Sequence, residues 1–205
     1  MVNNIRYASI RNLDISNGKG VGVALFVQGC RFACKNCFNP NTWDFNGGKE
    51  WTPDVKEKFL ELVDRQYIKR VSILGGEPLA DENLDGALDL ITEINKRYNF
   101  QKVDSVNPCK MGVLEDENAN KRRILLPNKT IWLWTGFAWE YIFDNLEDMN
   151  NLKRQEIIRN CDVLVDGRYI DSKRDISLKW RGSSNQRVIN VRQSLEQNKI
   201  VLYCD

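Results

Sequence analysis

Three cysteines, Cys30, Cys34 and Cys37, spaced C-x3-C-x2-C at the end of the apolar run Val21 to Gln28, constrain this chain more than any other feature. The run is apolar and β-branched and ends in Gly29, so it predicts a buried strand that opens directly into the cysteine loop. The spacing lets one tight loop present all three thiolates to a single inorganic centre, and three ligands leave one position open. A structural zinc site takes four protein ligands, usually as two C-x2-C pairs, and this chain has neither a second pair nor a histidine. Thiolate-rich sites suit iron-sulfur clusters, whose full complement is four cysteines, so a three-cysteine set leaves one iron for a substrate. Free cysteines are often simply small core residues, but the polar surroundings Arg31, Lys35 and Asn36 do not fit three buried thiols.

Composition narrows the class further. The 205 residues suffice for one domain with a sizeable core, and 42% hydrophobic with 28% charged residues is ordinary for a folded globular protein. The longest apolar runs fall well short of the roughly 20 residues that a membrane span needs. Met1 to Ile10 alternates polar and apolar residues without the pattern of a signal peptide, so a cytoplasmic protein is expected. A net charge of +2 gives no electrostatic footprint for nucleic acid. The dense basic run Lys121-Arg122-Arg123 reads as a solvated loop tip. Histidine is absent, which excludes a Ser-His-Asp triad and leaves any metal to cysteine or carboxylate. Six cysteines in a reducing compartment point to metal or catalysis sooner than to disulfides.

The pattern after the cysteines alternates helix and strand. Thr52-Pro53-Asp54 reads as a helix start, with Thr52 the N-cap, Pro53 at the first position and Asp54 in the positive first turn. Val55, Phe59, Leu60 and Val63 then share one face. Arg70 to Leu74 reads as a strand closed by Gly75-Gly76-Glu77-Pro78, and Leu84, Leu88 and Ile91 stripe the next helix. Thr130 to Trp134 and Asp162 to Asp166 read as strands, Leu146 to Ile158 as a helix, and Arg187 to Val191 and Ile200 to Tyr203 as further strand segments. This order predicts an α/β fold with a mostly parallel sheet, whose functional loops gather at the strands' carboxyl ends. No linker divides the chain, so residues 1–205 read as one domain. Asp104 to Lys129 reads as a hairpin excursion, since two short apolar runs flank a polar tip.

The Gly75-Gly76-Glu77-Pro78 turn is a weak signal alone, because such a turn after a strand is most often only a tight exit. Beside the cysteines it gains weight, since glycines let backbone carbonyls approach a ligand's ammonium group while Pro78 stiffens the exit.

With these residues in view the chain resembles the radical S-adenosylmethionine (SAM) superfamily and, within it, the activating proteins of anaerobic ribonucleotide reductase. The likeness rests on Gly29 to Asn39 with Thr42-Trp43, and on Gly75 to Leu79. It continues through Trp132 to Phe137, Asp162 to Gly167 and Arg181 to Arg187. It implies a partial (β/α) barrel with one 4Fe-4S cluster on Cys30, Cys34 and Cys37, and SAM chelating the open iron through its amino and carboxylate groups. An electron from the cluster would cleave SAM to methionine and a 5'-deoxyadenosyl radical. That radical would take a hydrogen from a glycine of the large anaerobic ribonucleoside-triphosphate reductase. Asn36, Cys37 and Phe38 would line the SAM site, with Gly75, Gly76 and Glu77 at the methionyl end, and an electron donor such as flavodoxin or a comparable reductant is implied. Many members carry an aromatic just before the third cysteine, whereas this chain has Asn36 there and Phe38 just after. Two other readings remain open from the residues themselves: a radical SAM enzyme with another target, and a non-catalytic iron-sulfur or metal-binding electron-transfer module.

The remaining features are expected to be structural. Trp132, Trp134, Phe137 and Trp139 read as core aromatics, and Gly182-Ser183-Ser184-Asn185 and Asp166-Gly167 as turns. Cys109, Cys161 and Cys204 are isolated and support no second cluster.

Overall fold

The computed structural model describes residues 5–98, 128–145 and 147–204. In chain order it contains β1 (Arg6–Asp14), β2 (Gly22–Val27), β3 (Lys49–Glu50), α1 (Pro53–Asp64), β4 (Arg70–Gly75) and α2 (Leu84–Tyr98). β5 (Thr130–Trp134), α3 (Trp139–Phe143), α4 (Met149–Arg159), β6 (Val163–Asp166), β7 (Arg187–Asn190) and α5 (Val191–Gln197) follow. The strands form one sheet in the order β3-β1-β2-β4-β5-β6-β7. Its centre, β2-β4-β5-β6, is parallel, as the helix–strand alternation predicts, while β1 and β3 on one side and β7 on the other run antiparallel. The fold is α/β.

Three sequence expectations need correction. Arg6–Asp14 is a nine-residue strand that the sequence does not announce: its exposure does not alternate cleanly, and pairing with β2 and β3 is what fixes it. Ile200 to Tyr203 forms a single bridge, Leu202 to Ile189, instead of a strand. The helix expected from Leu146 begins at Met149, because the Asp148 side chain caps it by accepting from the Asn150 N–H at 2.8 Å. The helix start at Thr52 is as expected: its hydroxyl accepts from Val55 N–H at 3.3 Å, and Phe59, Leu60 and Val63 are buried. The hairpin expected over Asp104 to Lys129 lies outside the described residues except for its last two, as do Cys109 and the run Lys121–Arg123.

Strand periodicity sorts the side chains onto two faces. Val23, Leu25 and Val27 of β2, Val71 and Ile73 of β4, Ile131 and Leu133 of β5 and Leu164 of β6 join the apolar faces of α1, α2 and α4 in the main core. The other face carries Ala24, Phe26 and Leu74, and beside them Trp132, Val163, Val165 and Val188. No described helix takes part in those two clusters; Trp134, Trp180 and Tyr203 pack there instead. Burial on both faces explains why β2 is apolar at every position.

At the amino end of β4, Arg70 is fully buried on this second face, and its guanidinium donates to the Asp14 carboxylate at 2.9 Å and to Asn17 and Ser72. Burial by itself would raise the Asp14 pKa, but hydrogen bonds from Arg70 and Asn17 together hold it below the usual carboxylate value. The pair ties the end of β1 to the start of β4.

Candidate functional site

The loops that leave the parallel strands at their carboxyl ends meet around one cavity of about 370 Å³. Cys30, Cys34, Cys37 and Phe38 line it from the loop after β2, Gly75, Gly76 and Glu77 from β4's end and exit, and Thr135 and Gly136 from beyond β5. Arg168 and Tyr169 line it after β6, and Trp180, Arg181 and Gly182 from the segment before β7. The two special loops of the sequence are therefore adjacent in space.

The cysteine loop has almost no regular structure and is shaped by specific contacts. Gly29 turns at φ 93°, and Ala33 and Asn36 also adopt positive φ, 46° and 55°. Asparagine tolerates this region far better than a bulky aromatic, which gives a backbone reason for Asn36 where many superfamily members have an aromatic. Its side-chain amide also donates to Asp171 at 2.9 Å. The loop returns beside its start through Gly29 N–H to Thr42 O (2.8 Å) and Cys30 N–H to Trp43 O (3.0 Å). Buried Gln28 fastens the return by donating to Asn41 O and Asp44 O. From outside, Arg31 pairs with Glu82, and Arg168 donates to Phe32 O at 2.6 Å while lying over the Phe32 ring. Phe38, 60% exposed, packs edge-on against Tyr169.

The Gly75-Gly76-Glu77 exit closes onto this loop. Gly75 has φ 108°. Gly76 N–H donates to Val27 O at 2.9 Å and Glu77 N–H to Gly29 O at 2.7 Å. A Cβ on Gly76 would stand 2.5 Å from Gly29 O, so the fold itself requires a glycine there. The Glu77 carboxylate is buried and accepts from Leu79 N–H (2.9 Å), Thr135 Oγ1 (2.8 Å) and Gly136 N–H (2.7 Å), locking the exit of β4 to that of β5. Burial outweighs these donors and pushes its pKa up to about 7.

The three thiols are half-buried and form no disulfide. Burial is the main cause that pushes the Cys30 thiol up to about 11, with the nearby Glu77 charge adding to it, so it stays protonated until a metal displaces the proton. Asn39 N–H points at Cys37 Sγ at 3.4 Å, a donor of the kind that tunes cluster sulfurs. Among the described residues no three His, Cys, Asp or Glu side chains close around a single ion. A cubane offers a separate iron to each thiolate, so its ligands need to border one cavity without meeting at a point. Three thiols bordering one cavity fit that group.

Phe32, Trp43, Arg168, Tyr169 and Arg181 also belong to the site, and spacing gave no reason to choose them for the cavity. The aromatics expected in the core divide: Trp132 is buried, whereas Trp134 lies between core and cavity with its indole N–H donating to Trp180 O at 2.9 Å. Asp166 stays structural, accepting from Arg187 and from Trp139 N–H at 2.8 Å. Cys161 is buried and Cys204 half-buried, and neither lines the cavity.

Residues 16–125 and 117–189 match the family of 4Fe-4S single cluster domains. An anaerobic ribonucleoside-triphosphate reductase-activating protein of Vibrio cholerae is 31% identical over 184 residues, covering 89% of this chain and 96% of the relative. One from Escherichia coli K12 is 31% identical over 190 residues, covering 92% of this chain and 100% of the relative. One from phage T4 is 28% identical over 186 residues, 90% and 93% of the two. With its cysteine loop and the loops that hold it inside the matched region, the chain belongs to the family of anaerobic ribonucleoside-triphosphate reductase-activating proteins, proteins with a 4Fe-4S cluster domain.

Proposed function

We propose that this chain is a radical SAM enzyme that places a glycyl radical on the large subunit of anaerobic ribonucleoside-triphosphate reductase. The observation that carries the reading is the single cavity bordered by all three motif cysteines and by the Gly75-Gly76-Glu77 exit. A 4Fe-4S cluster with SAM bound there would supply the electron and the carbon radical. Cys30, Cys34 and Cys37 would hold three of the irons. Gly76, with no side chain, leaves the cavity wall as bare backbone next to Cys30, where a methionyl ammonium finds carbonyl acceptors. Glu77 acts through Thr135 and Gly136, keeping the exits of β4 and β5 at fixed spacing. Asn36 shapes the loop, and Phe38 and Tyr169 provide an aromatic wall suited to adenine. No general base is needed, because a carbon radical takes hydrogen directly.

The same reading makes residues 1–205 one radical SAM domain of the partial-barrel type, with helices outside and the cavity on the inner face of the sheet. It places the protein in the cytoplasm beside its reductase, with an electron donor such as flavodoxin. Among the described residues no helix is long and apolar enough to cross a membrane.

The test is anaerobic reconstitution with iron and sulfide, reduction, and addition of SAM and the reductase, read by electron paramagnetic resonance. A glycyl-radical doublet that needs every component supports the reading. 5'-Deoxyadenosine without the doublet would retain the chemistry and reject the partner, and neither signal from a fully loaded protein would reject the enzyme.

A further inference from the structure

Arg181 stands out among the charged residues bordering the cavity. Glu77 is engaged by three donors, and Arg168 is committed to the Phe32 carbonyl and ring. The Arg181 guanidinium makes no hydrogen bond or ion pair among the described residues, and its Nε is sealed from solvent without a partner. Asp175 is held below its usual value chiefly by Ser177 and only in smaller part by Arg181. Trp43, another residue lining the cavity, also has a buried donor without a partner, its Nε1. Of the four described residues that carry such an atom, Arg181 and Trp43 line this cavity. Among the charged residues lining the cavity, Arg181 is thus the one that the described residues leave without a partner, and an unpaired guanidinium beside a cavity suits an anionic ligand group.

The location of Arg181 narrows the ligand group. Gly182 packs against the Phe38 ring, since a Cβ there would stand 2.6 Å from Phe38 Cε2, and Phe38 directly follows Cys37. Arg181 is thus held one residue from the point where the segment before β7 touches the cysteine loop. A guanidinium matches a carboxylate through two parallel hydrogen bonds. It is the wrong partner for a sulfonium or an ammonium. A carboxylate has two oxygens with about four lone-pair sites, so metal ligation through one oxygen leaves the other for a cation.

We propose that Arg181 binds the carboxylate of the SAM methionyl group, a role that rests on the cofactor reading above. It is a binding residue, and its contribution is read in affinity. The experiment uses cluster-loaded protein under anaerobic conditions without reductant, with SAM and decarboxylated SAM as probes in equilibrium dialysis. Arg181→Met is expected to weaken SAM binding by about 10- to 100-fold, the usual range for a charge-assisted hydrogen bond, and Arg181→Lys to recover part of it. Decarboxylated SAM should bind the wild type and Arg181→Met alike. Iron and sulfide per chain establish that each variant is loaded, and Arg181→Lys carries the test if Arg181→Met fails to load. Unchanged SAM affinity in the substituted protein, or an equal loss for both probes, would overturn the assignment while leaving the cofactor reading intact. A loaded wild type that binds neither probe would overturn both.

Discussion

Replacing Gly76 with alanine tests how the two special loops are joined. The added Cβ would lie 2.5 Å from Gly29 O and 3.0 Å from both Gly29 C and Thr42 O, all of them backbone atoms. None can rotate aside, so the β4 exit has to move away from the cysteine loop, and the 2.7 Å bond from Glu77 N–H to Gly29 O opens. Overpacking costs about 1–3 kcal/mol and the lost hydrogen bond about 0.5–1.5 kcal/mol. Together they amount to about 2–4 kcal/mol, which for a chain of this size lowers Tm by about 5–15 °C. Gly182→Ala is the control. Its Cβ would overlap Phe38 at a similar 2.6 Å, but the obstacle is a side chain 60% exposed and able to swing outward, so the cost stays below about 1 kcal/mol. Thermal unfolding of the metal-free proteins, with iron and sulfide per chain after reconstitution, measures both. Gly76→Ala should also bind less iron, because Gly29 carries Cys30. A Gly76→Ala protein melting within about 2 °C of wild type, or one matched by Gly182→Ala, would refute the premise that immovable backbone sets the cost.

Asp14→Ala strands the buried Arg70 charge and should cost about 3–5 kcal/mol in urea unfolding, whereas Asp14→Leu combined with Arg70→Met should recover most of it. Burial raises Glu77 from 4.5 to about 7, so its contribution to stability is full below pH 4.5 and declines as pH rises through about 7. Urea midpoints of the metal-free protein across that window should show the decline in wild type and lack it in Glu77→Gln; identical profiles would remove Glu77 as the cause. Cys34→Ala should lose the charge-transfer absorbance of the cluster and form no 5'-deoxyadenosine from SAM, and persistent formation would overturn the cluster assignment.

Much of the fold was legible because local rules and tertiary packing agree. β5 has the predicted bounds, and β2, β4 and β6 lie within a residue or two of theirs, because buried parallel strands read as short apolar runs. Thr52 and Pro53 marked the start of α1 by capping chemistry alone. β1 was missed because its residues carry no clean period of two, and its strand character depends on pairing with β2 and β3. The glycines of the Gly75-Gly76 exit were read as making room for a ligand, while their nearest requirement is internal: Gly76 meets the carbonyl of Gly29, a residue 47 positions earlier.

By itself, the order of residues determined the cysteine spacing, the strand that delivers it, and the absence of histidine, which together point to thiolate-held metal. These are local properties of chain connectivity and side-chain type. Only the tertiary structure decided which residues enclose those thiols. Arg168, Tyr169 and Arg181 reach the cavity because β6 lies beside β5 and the segment before β7 folds back to Phe38. Such contacts between distant positions leave no periodic or compositional trace in the chain, since what selects them is the geometry of the assembled sheet.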